Sequence, residues 1–323
     1  MDAVYVLGAG GIGCAVGYAL RAAGDAVTFV EANPRKVEAG RTDGVKLDDR
    51  PALHAEFVHF DDWKPTPGVE VILCTKCYDN AAVLEKLPSD VPLIPIQNGF
   101  DPLLDARSHS FEGIASFVSQ CEPDRPWTRI TRPGELHIGP RAFGTKAQHP
   151  RWVSLNWAGV LYPTLVPTIA PIKYAKLMYN AAISPLAAAA GIDNGQLLSV
   201  PTARKLFFAL LQENYRILSA AGIALGKVGP FHPRTVAWIL RRKWLARFMA
   251  KRFEPSLRGT YCSMAGEIQK GRTEIDNYNG HLIQLAERTG SPCGLNRAVY
   301  DLVKRMTEGR EVPRLEVLSE LPQ

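Results

Sequence analysis

The sequence predicts an α/β fold in two parts, an N-terminal doubly wound parallel sheet followed by an all-helical C-terminal domain. Three observations carry that prediction. Four short apolar runs, Val4 to Leu7, Ala26 to Glu31, Val69 to Thr75 and Leu93 to Gln97, alternate with helix-length patterns over the first 140 residues. A glycine-rich turn follows the first run directly. Beyond a segment punctuated by Pro163, Pro167 and Pro171, the patterns are of helix length and strand alternation almost disappears.

Taken in order, Val4 to Leu7 is a continuous apolar run, as befits a strand covered on both faces. Ile12, Ala15, Val16, Ala19, Leu20 and Ala23 then recur at helical spacing and give one stripe to lie against a sheet. Ala26 to Glu31 completes a βαβ unit, and Val69 to Thr75 and Leu93 to Gln97 extend the same sheet. Ser116 to Trp127 offers no recognisable pattern. The domain boundary is placed near Pro167, which assigns residues 1–167 to the sheet domain and 168–323 to the helical one.

Gly8, Gly10 and Gly13 form G-x-G-x-x-G between a predicted strand and a predicted helix, the context in which the pattern signals a dinucleotide-binding Rossmann domain. The first glycine permits the tight turn, the second lets the backbone approach a pyrophosphate, and the third allows close helix-to-strand packing. The helix N-terminus adds unpaired N–H donors. Gly8, Gly10, Gly11, Ile12 and Gly13 are therefore the candidate pyrophosphate cradle. Glu31 ends the second strand, 23 residues after Gly8, where an acid reaches the adenosine ribose hydroxyls. Its carboxylate repels a 2′-phosphate and so favours NAD over NADP, although Arg35 and Lys36 follow closely and could neutralise that phosphate.

The composition excludes several classes. With 323 residues, 46% hydrophobic, 22% charged and no low-complexity tract, the chain is neither fibrous nor disordered. Six cysteines over this length do not make the disulfide framework of a small secreted protein, and no leader pattern precedes the first strand, so a cytoplasmic protein with free thiols is expected. The longest apolar stretch, Ala181 to Ala190, is too short to span a bilayer. Seven histidines without H-E-x-x-H spacing, a lone Cys74-Thr-Lys-Cys77 and the lack of a G-K-[ST] loop give no metal or nucleoside triphosphate site.

Candidate chemistry lies further along. Lys176, Asn180 and Ser184 stand at i, i+4 and i+8 of a predicted helix, so they form a row about 12 Å long on one face. Flanking Leu177, Ala181, Ala182 and Ile183 make that helix largely buried, which argues for a ligand-lining row over a solvated face. Ser263 and Glu274 would be about 16 Å apart in one unbroken helix, but Gly271 breaks it. Thr273 then reads as an N-cap with Asp276 completing a capping box, and Glu274 falls in the first turn.

An ordered set of segments resembles the ketopantoate reductase family of the 6-phosphogluconate dehydrogenase-like superfamily. The set comprises Gly8 to Gly13, Thr75-Lys76 with Asp79, Gln97-Asn98-Gly99, His137 to Pro140, Lys176 to Asn180, Ser263-Met264, Thr273 to Asp276, and Gly290 with Pro292 and Asn296. The resemblance implies a Rossmann domain, a helical C-terminal domain and NAD(P)H-dependent reduction of a 2-keto acid, with 2-dehydropantoate to pantoate as the type reaction. By the same resemblance, Lys176 donates a proton to the substrate oxygen and Glu274 pairs with the lysine region. Asn180, Ser184 and Ser263 hold substrate polar groups, Asn98 orients substrate beside the nicotinamide, and Lys76 and Asn98 lie on the cofactor side. Substrate is expected in the cleft between the domains, with room for a homodimer through the helical one. Departures are Ser184 where the family commonly has Asn, Cys262 where a second serine is usual, and a Ser263-to-Glu274 spacing one residue short. They make the 2-keto acid class firmer than ketopantoate itself.

The formal charge of +6 is local. Arg234 to Arg258 holds eight basic residues against the single acid Glu254, which accounts for the whole excess. Val236, Ile239, Leu240, Trp244, Leu245, Phe248 and Met249 interleave at roughly helical spacing, so an amphipathic basic helix docked on the core is expected. A second reading has it draw anionic ligands to the cleft. A third, from another class, makes the protein a non-enzymatic dinucleotide sensor that binds nucleic acid or anionic membrane through 234–258; neither partner is expected. Tyr300 and Lys304 form a Y-x-x-x-K pair that reads as coincidence inside an amphipathic helix.

Overall fold

Alternate residues of the first strand serve opposite cores. In β1 (Ala3–Leu7), Val4 and Val6 join one apolar cluster, while Leu7, with Tyr5 against it, joins the other. The structure, a computed structural model, describes residues 3–107, 109–142, 159, 161 and 163–322. It divides into two units, Met1–Ala170 and Pro171–Gln323.

In the first unit β1 is followed by α1 (Gly11–Ala22), β2 (Ala26–Glu31), α2 (Pro34–Asp43), β3 (Lys46–Leu47), β4 (Glu56–His59), β5 (Glu70–Leu73), α3 (Asn80–Lys86), β6 (Leu93–Pro95) and α4 (Pro102–Ala106). Five strands pair in parallel in the order β4-β2-β1-β5-β6, so Val6 lies between Phe29 and Ile72. Strand order reverses at β1, which makes its carboxyl end the topological switch point. The sheet is the Rossmann arrangement expected from the sequence. The edge strand β4 went unpredicted because Glu56 and His59 leave too short an apolar run.

Next come β7 (Phe111–Ala115), β8 (Val118–Cys121), β9 (Trp127–Arg132), β10 (Leu136–Pro140) and β11 (Pro163–Leu165), which build sheets ordered β11-β10-β7 and β3-β9-β8. The patternless segment 116–127 thus holds β8. Its period is hidden because Ser119 and Gln120 are polar and the register with β9 shifts at Val118/Ser119.

The second unit is helical: α5 (Ala170–Ala190), α6 (Gln196–Ser199), α7 (Pro201–Ala220), α8 (Pro233–Leu240), α9 (Lys243–Phe253), α10 (Ser263–Ile268), a π-helical turn (Asp276–Gly280), α11 (His281–Thr289) and α12 (Gly294–Thr307). Twelve of the 21 residues of α5 are buried, although it contains Pro185. A proline has no N–H to give the carbonyl four residues back. The Ala181 carbonyl is instead served by Asn279 Nδ2 at 2.9 Å. Asn279 Nδ2 also donates to Asn296 Oδ1 (2.9 Å), and Asn296 Nδ2 donates to Glu213 Oε1 (2.9 Å) and Asn214 Oδ1 (2.8 Å). The Glu213 carboxylate further accepts the backbone N–H groups of Leu295 and Asn296, capping α12 from outside. This buried polar network ties α5, α7, the π turn and α12 together.

The single basic helix expected over 234–258 is two. Arg242 is extended (φ −112°, ψ 94°) between α8 and α9, and its guanidinium stacks on Trp238 at 3.7 Å. The apolar set also divides. Ile239 and Leu240 are buried, whereas α9 docks through Ala246 and Ala250 and leaves Trp244 and Phe248, 71% and 62% exposed, facing outward.

At the start of α11, His281 is 9% exposed. Burial, then Arg288 and Lys173, pull its pKa down to about 4. An unfolded chain protonates it below the ordinary value of 6.5, while the folded one keeps it neutral to about 4, so stability falls as pH drops through that window. Over that window wild type should lose up to about 3 kcal/mol more than His281→Gln. Urea unfolding of both proteins at a series of pH values checks this, and parallel profiles would refute it.

Candidate active site

Packing holds two of the three glycines of the turn and leaves the other open. Gly8 has φ +90°, and a Cβ there would lie 3.0 Å from the Thr75 backbone nitrogen. A Cβ on Gly13 would overlap the Gly8 carbonyl oxygen, so α1 packs against the turn only with hydrogen at that position. A Cβ on Gly10 would meet nothing within 4 Å. Packing thus explains the first and third glycines, and the second faces open space at the N-terminus of α1. That is the cradle a pyrophosphate fits. Gly11, by contrast, is pressed against Ser119 of β8.

Glu31 belongs to this turn. Its carboxylate accepts the Ala9 N–H at 2.9 Å and the Ala32 and Asn33 N–H groups, each at 2.9 Å. Lys36 is 8% exposed, and its ammonium donates to the Ala9 carbonyl at 3.2 Å, so it is committed to the turn rather than presented to a ribose phosphate. Arg35 is exposed and pairs with Asp124 at 3.4 Å.

At the carboxyl ends of β5 and β6 a second set forms. Gln97 Nε2 donates to the Thr75 carbonyl (2.7 Å) and to Asn80 Oδ1 (2.8 Å), and Asn80 Nδ2 donates to Asp101 Oδ2 (2.6 Å). With Gln97 so anchored and Gly99 turning the chain at φ +77°, Asn98 is held between them. Its Oδ1 is buried and has no hydrogen-bond partner among the described residues. A buried unpaired amide oxygen is a costly feature that a bound ligand would satisfy. Lys76 lies in the same turn, one residue past Thr75. Of Cys74 and Cys77, the first is an inert thiol, pushed up by burial, and the second donates to the Asn98 carbonyl at 3.1 Å.

In the helical unit, Lys176, Asn180 and Ser184 all fall on α5, and all three are half-buried, as are Ile172, Tyr174, Tyr179 and Ile183, on a helix that is otherwise largely buried. Cys262, just before α10, donates from Sγ to the Ser184 carbonyl at 3.3 Å, which brings Ser263 to the same turn of α5 as Ser184. Burial pushes the Cys262 thiol up to about 11, so it is a strut rather than a reactive group. Glu274 is 2% exposed and accepts from the Tyr278 hydroxyl at 3.2 Å. Thr273 Oγ1 accepts from the Ile275 N–H, but the capping box is not formed. Asp276 is drawn away to accept from Tyr300 (2.5 Å) and Lys304 (3.2 Å), which gives that Y-x-x-x-K pair a structural job.

Sequence reasoning had Lys36 only as a possible phosphate partner and Asn296 only as part of the family resemblance, and it missed Ser119 and Cys121 beneath the glycine turn and Tyr278, Asn279, Asn214 and Glu213 in the helical unit. Of the missed residues, Asn279 had a signal: a proline inside a helix calls for an outside donor. Among the described residues, no three His, Cys, Asp or Glu side chains are grouped to hold a metal ion, and no helix is long and apolar enough to cross a membrane.

Both halves of the chain match one family. Residues 4–140 fit a family model described as ketopantoate reductase PanE/ApbA, and residues 168–307 fit its C-terminal counterpart. The chain belongs to the ketopantoate reductase family. Members of this family are nicotinamide-dinucleotide oxidoreductases. The 2-dehydropantoate 2-reductase of Pyrococcus horikoshii is 26% identical over 315 residues, covering 93% of this chain and 96% of that one. A solved ketopantoate reductase from Ralstonia eutropha superposes with a TM-score of 0.76 at 21% identity, covering 95% and 99% of the two chains. D-mandelate dehydrogenase, solved with NADH and anilino(oxo)acetate, also reaches 0.76, at 17% identity and the same coverage. At such identities these two structures share the fold.

Proposed function

We propose that this ketopantoate reductase family member reduces a 2-keto acid to the 2-hydroxy acid, with 2-dehydropantoate as the leading substrate. The observation that supports the reading is the half-buried row of Lys176, Asn180 and Ser184 on a largely buried helix, in a chain whose other unit has a glycine turn open at Gly10. The bound reduced nicotinamide supplies hydride. The remaining tasks fall to side chains. The Lys176 ammonium donates a proton to the carbonyl oxygen as negative charge develops there. Asn180, Ser184 and Ser263 hold the substrate carboxylate and hydroxyls, and Asn98 orients the keto group. Glu274, steadied by Tyr278, balances the lysine charge.

Glu31 supports NADH as the preferred donor, because a carboxylate repels a 2′-phosphate and Lys36 is spent on the Ala9 carbonyl. A second substrate reading has its own support. Ser184 is shorter than an amide side chain and Cys262 is tied to its carbonyl, so an acid bulkier than ketopantoate fits the reading too. Initial rates with ketopantoate, branched and aryl 2-keto acids, each with NADH and NADPH, test the proposal. At least one acid should reach a kcat/KM of about 10⁴ M⁻¹ s⁻¹ or more, with NADH favoured. Dinucleotide binding without turnover of any acid, joined to salt-sensitive DNA or vesicle binding, would make the protein a sensor instead. Self-association through the helical unit belongs to the same proposal, and sedimentation equilibrium should return a dimer mass.

A further inference from the structure

Three groups that the proposed chemistry does not use converge on one carbonyl of the glycine turn. The Ala9 oxygen accepts from the Cys14 thiol (3.2 Å) and the Lys36 ammonium (3.2 Å), and Cys121 Sγ lies 3.5 Å from it. Lys36 Nζ is also 3.7 Å from Cys121 Sγ. Cys14 sits in the first turn of α1 and is buried, whereas Cys121 ends β8 and is half-buried, so a small solute reaches Cys121 first. The two thiols differ in character. The neighbouring Cys14 side chain, and then the Lys36 ammonium, hold Cys121 below the ordinary thiol range against the effect of burial, while burial pushes Cys14 well above it. A half-buried thiol of lowered pKa beside a cation, with a second cysteine on the same carbonyl, is the arrangement that peroxides oxidise selectively.

We propose that Cys121 and Cys14 form a peroxide-sensitive dithiol that controls the dinucleotide cradle. The Cys121 thiolate attacks one peroxide oxygen, the O–O bond breaks, and hydroxide leaves to yield a sulfenic acid. That hydroxide takes the Cys14 S–H proton, the Cys14 thiolate attacks the sulfenic sulfur, and an S–S bond replaces S–O as hydroxide leaves and takes up the proton that Cys121 shed. Two thiols lose two electrons and one peroxide becomes two waters. The bond draws the two sulfurs to about 2 Å from each other and away from the Ala9 oxygen. Ala9 is where the strain arrives, since its N–H holds Glu31, and the Cys14 N–H holds the Gly10 carbonyl at 2.8 Å. Oxidation therefore displaces the cradle that the reduced thiols support.

The inference rests on the dinucleotide reading of the turn, and the test separates the two. The full chain is treated with hydrogen peroxide, digested without reductant for mass spectrometry, and titrated with NADH by fluorescence before and after. The expected result is a Cys14–Cys121 cross-linked peptide and a Kd raised about tenfold, both reversed by dithiothreitol. Cys121→Ser should show neither change, and Cys14→Ser should stop at a sulfenic acid on Cys121 that dimedone traps. Absence of the cross-link, or a cross-link with unchanged NADH affinity, overturns the proposal. A reduced chain that binds no dinucleotide refutes the cradle reading instead, while the cross-link still decides the thiol chemistry.

Discussion

Lys176→Ala should lower kcat by about 10³-fold, the range in which a positioned general acid operates, while NADH affinity stays within about twofold. The two effects separate because Lys176 stands on α5 of the helical unit and the glycine turn belongs to the sheet unit. Lys176→Arg should not restore turnover, since a guanidinium keeps its charge but does not surrender a proton at working pH. A lysine that only packs would behave otherwise: arginine would recover most of the rate and the pH profile of kcat would keep its alkaline limb. Pre-steady-state and steady-state rates for the three proteins across pH decide between these. Wild-type turnover in Lys176→Ala would remove the residue from the mechanism.

Gly10→Val should leave the fold nearly intact and weaken NADH binding by about 100-fold, or about 2.7 kcal/mol. At φ −84° the residue occupies backbone space open to any side chain, and a Cβ there meets nothing within 4 Å. The isopropyl group would stand where a pyrophosphate must approach the N-terminus of α1. Gly13→Ala offers the contrast. Its methyl collides with the Gly8 carbonyl, so it should destabilise the fold by about 1–3 kcal/mol before any ligand is added. Thermal melts and NADH titrations of both variants form the check. Normal binding by Gly10→Val would mean that the open side of the turn is not the cradle.

The local placement of these two residue sets was readable in the sequence for the same reason: each is set by short-range geometry. Gly8, Gly10 and Gly13 answer to one turn, and Lys176, Asn180 and Ser184 to one helical period. Residues that act through long-range pairing left no such mark. Cys121 meets Ala9 only because β8 folds back beneath the turn, 112 residues along the chain. Asn214, Asn279 and Asn296 look like surface residues in sequence, yet all three are fully buried, with Asn296 hydrogen-bonded to each of the other two. The basic segment misled in another way. Its apolar period runs unbroken through Arg241 and Arg242, where the backbone ends one helix and starts the next, so Trp244 and Phe248 face solvent instead of the core. Asp276 deceived by resembling a cap while serving Tyr300 and Lys304.

Hydride delivered to the carbonyl carbon of a 2-keto acid carries its isotope into the product. NADH deuterated at the transferring position of the nicotinamide is incubated with the best acid of the panel, and the product is examined by mass spectrometry and proton NMR. The expected product is a 2-hydroxy acid carrying deuterium at C2, with the hydroxyl proton drawn from solvent. A product with solvent hydrogen at C2, or no 2-hydroxy acid from any member of the panel, would contradict it.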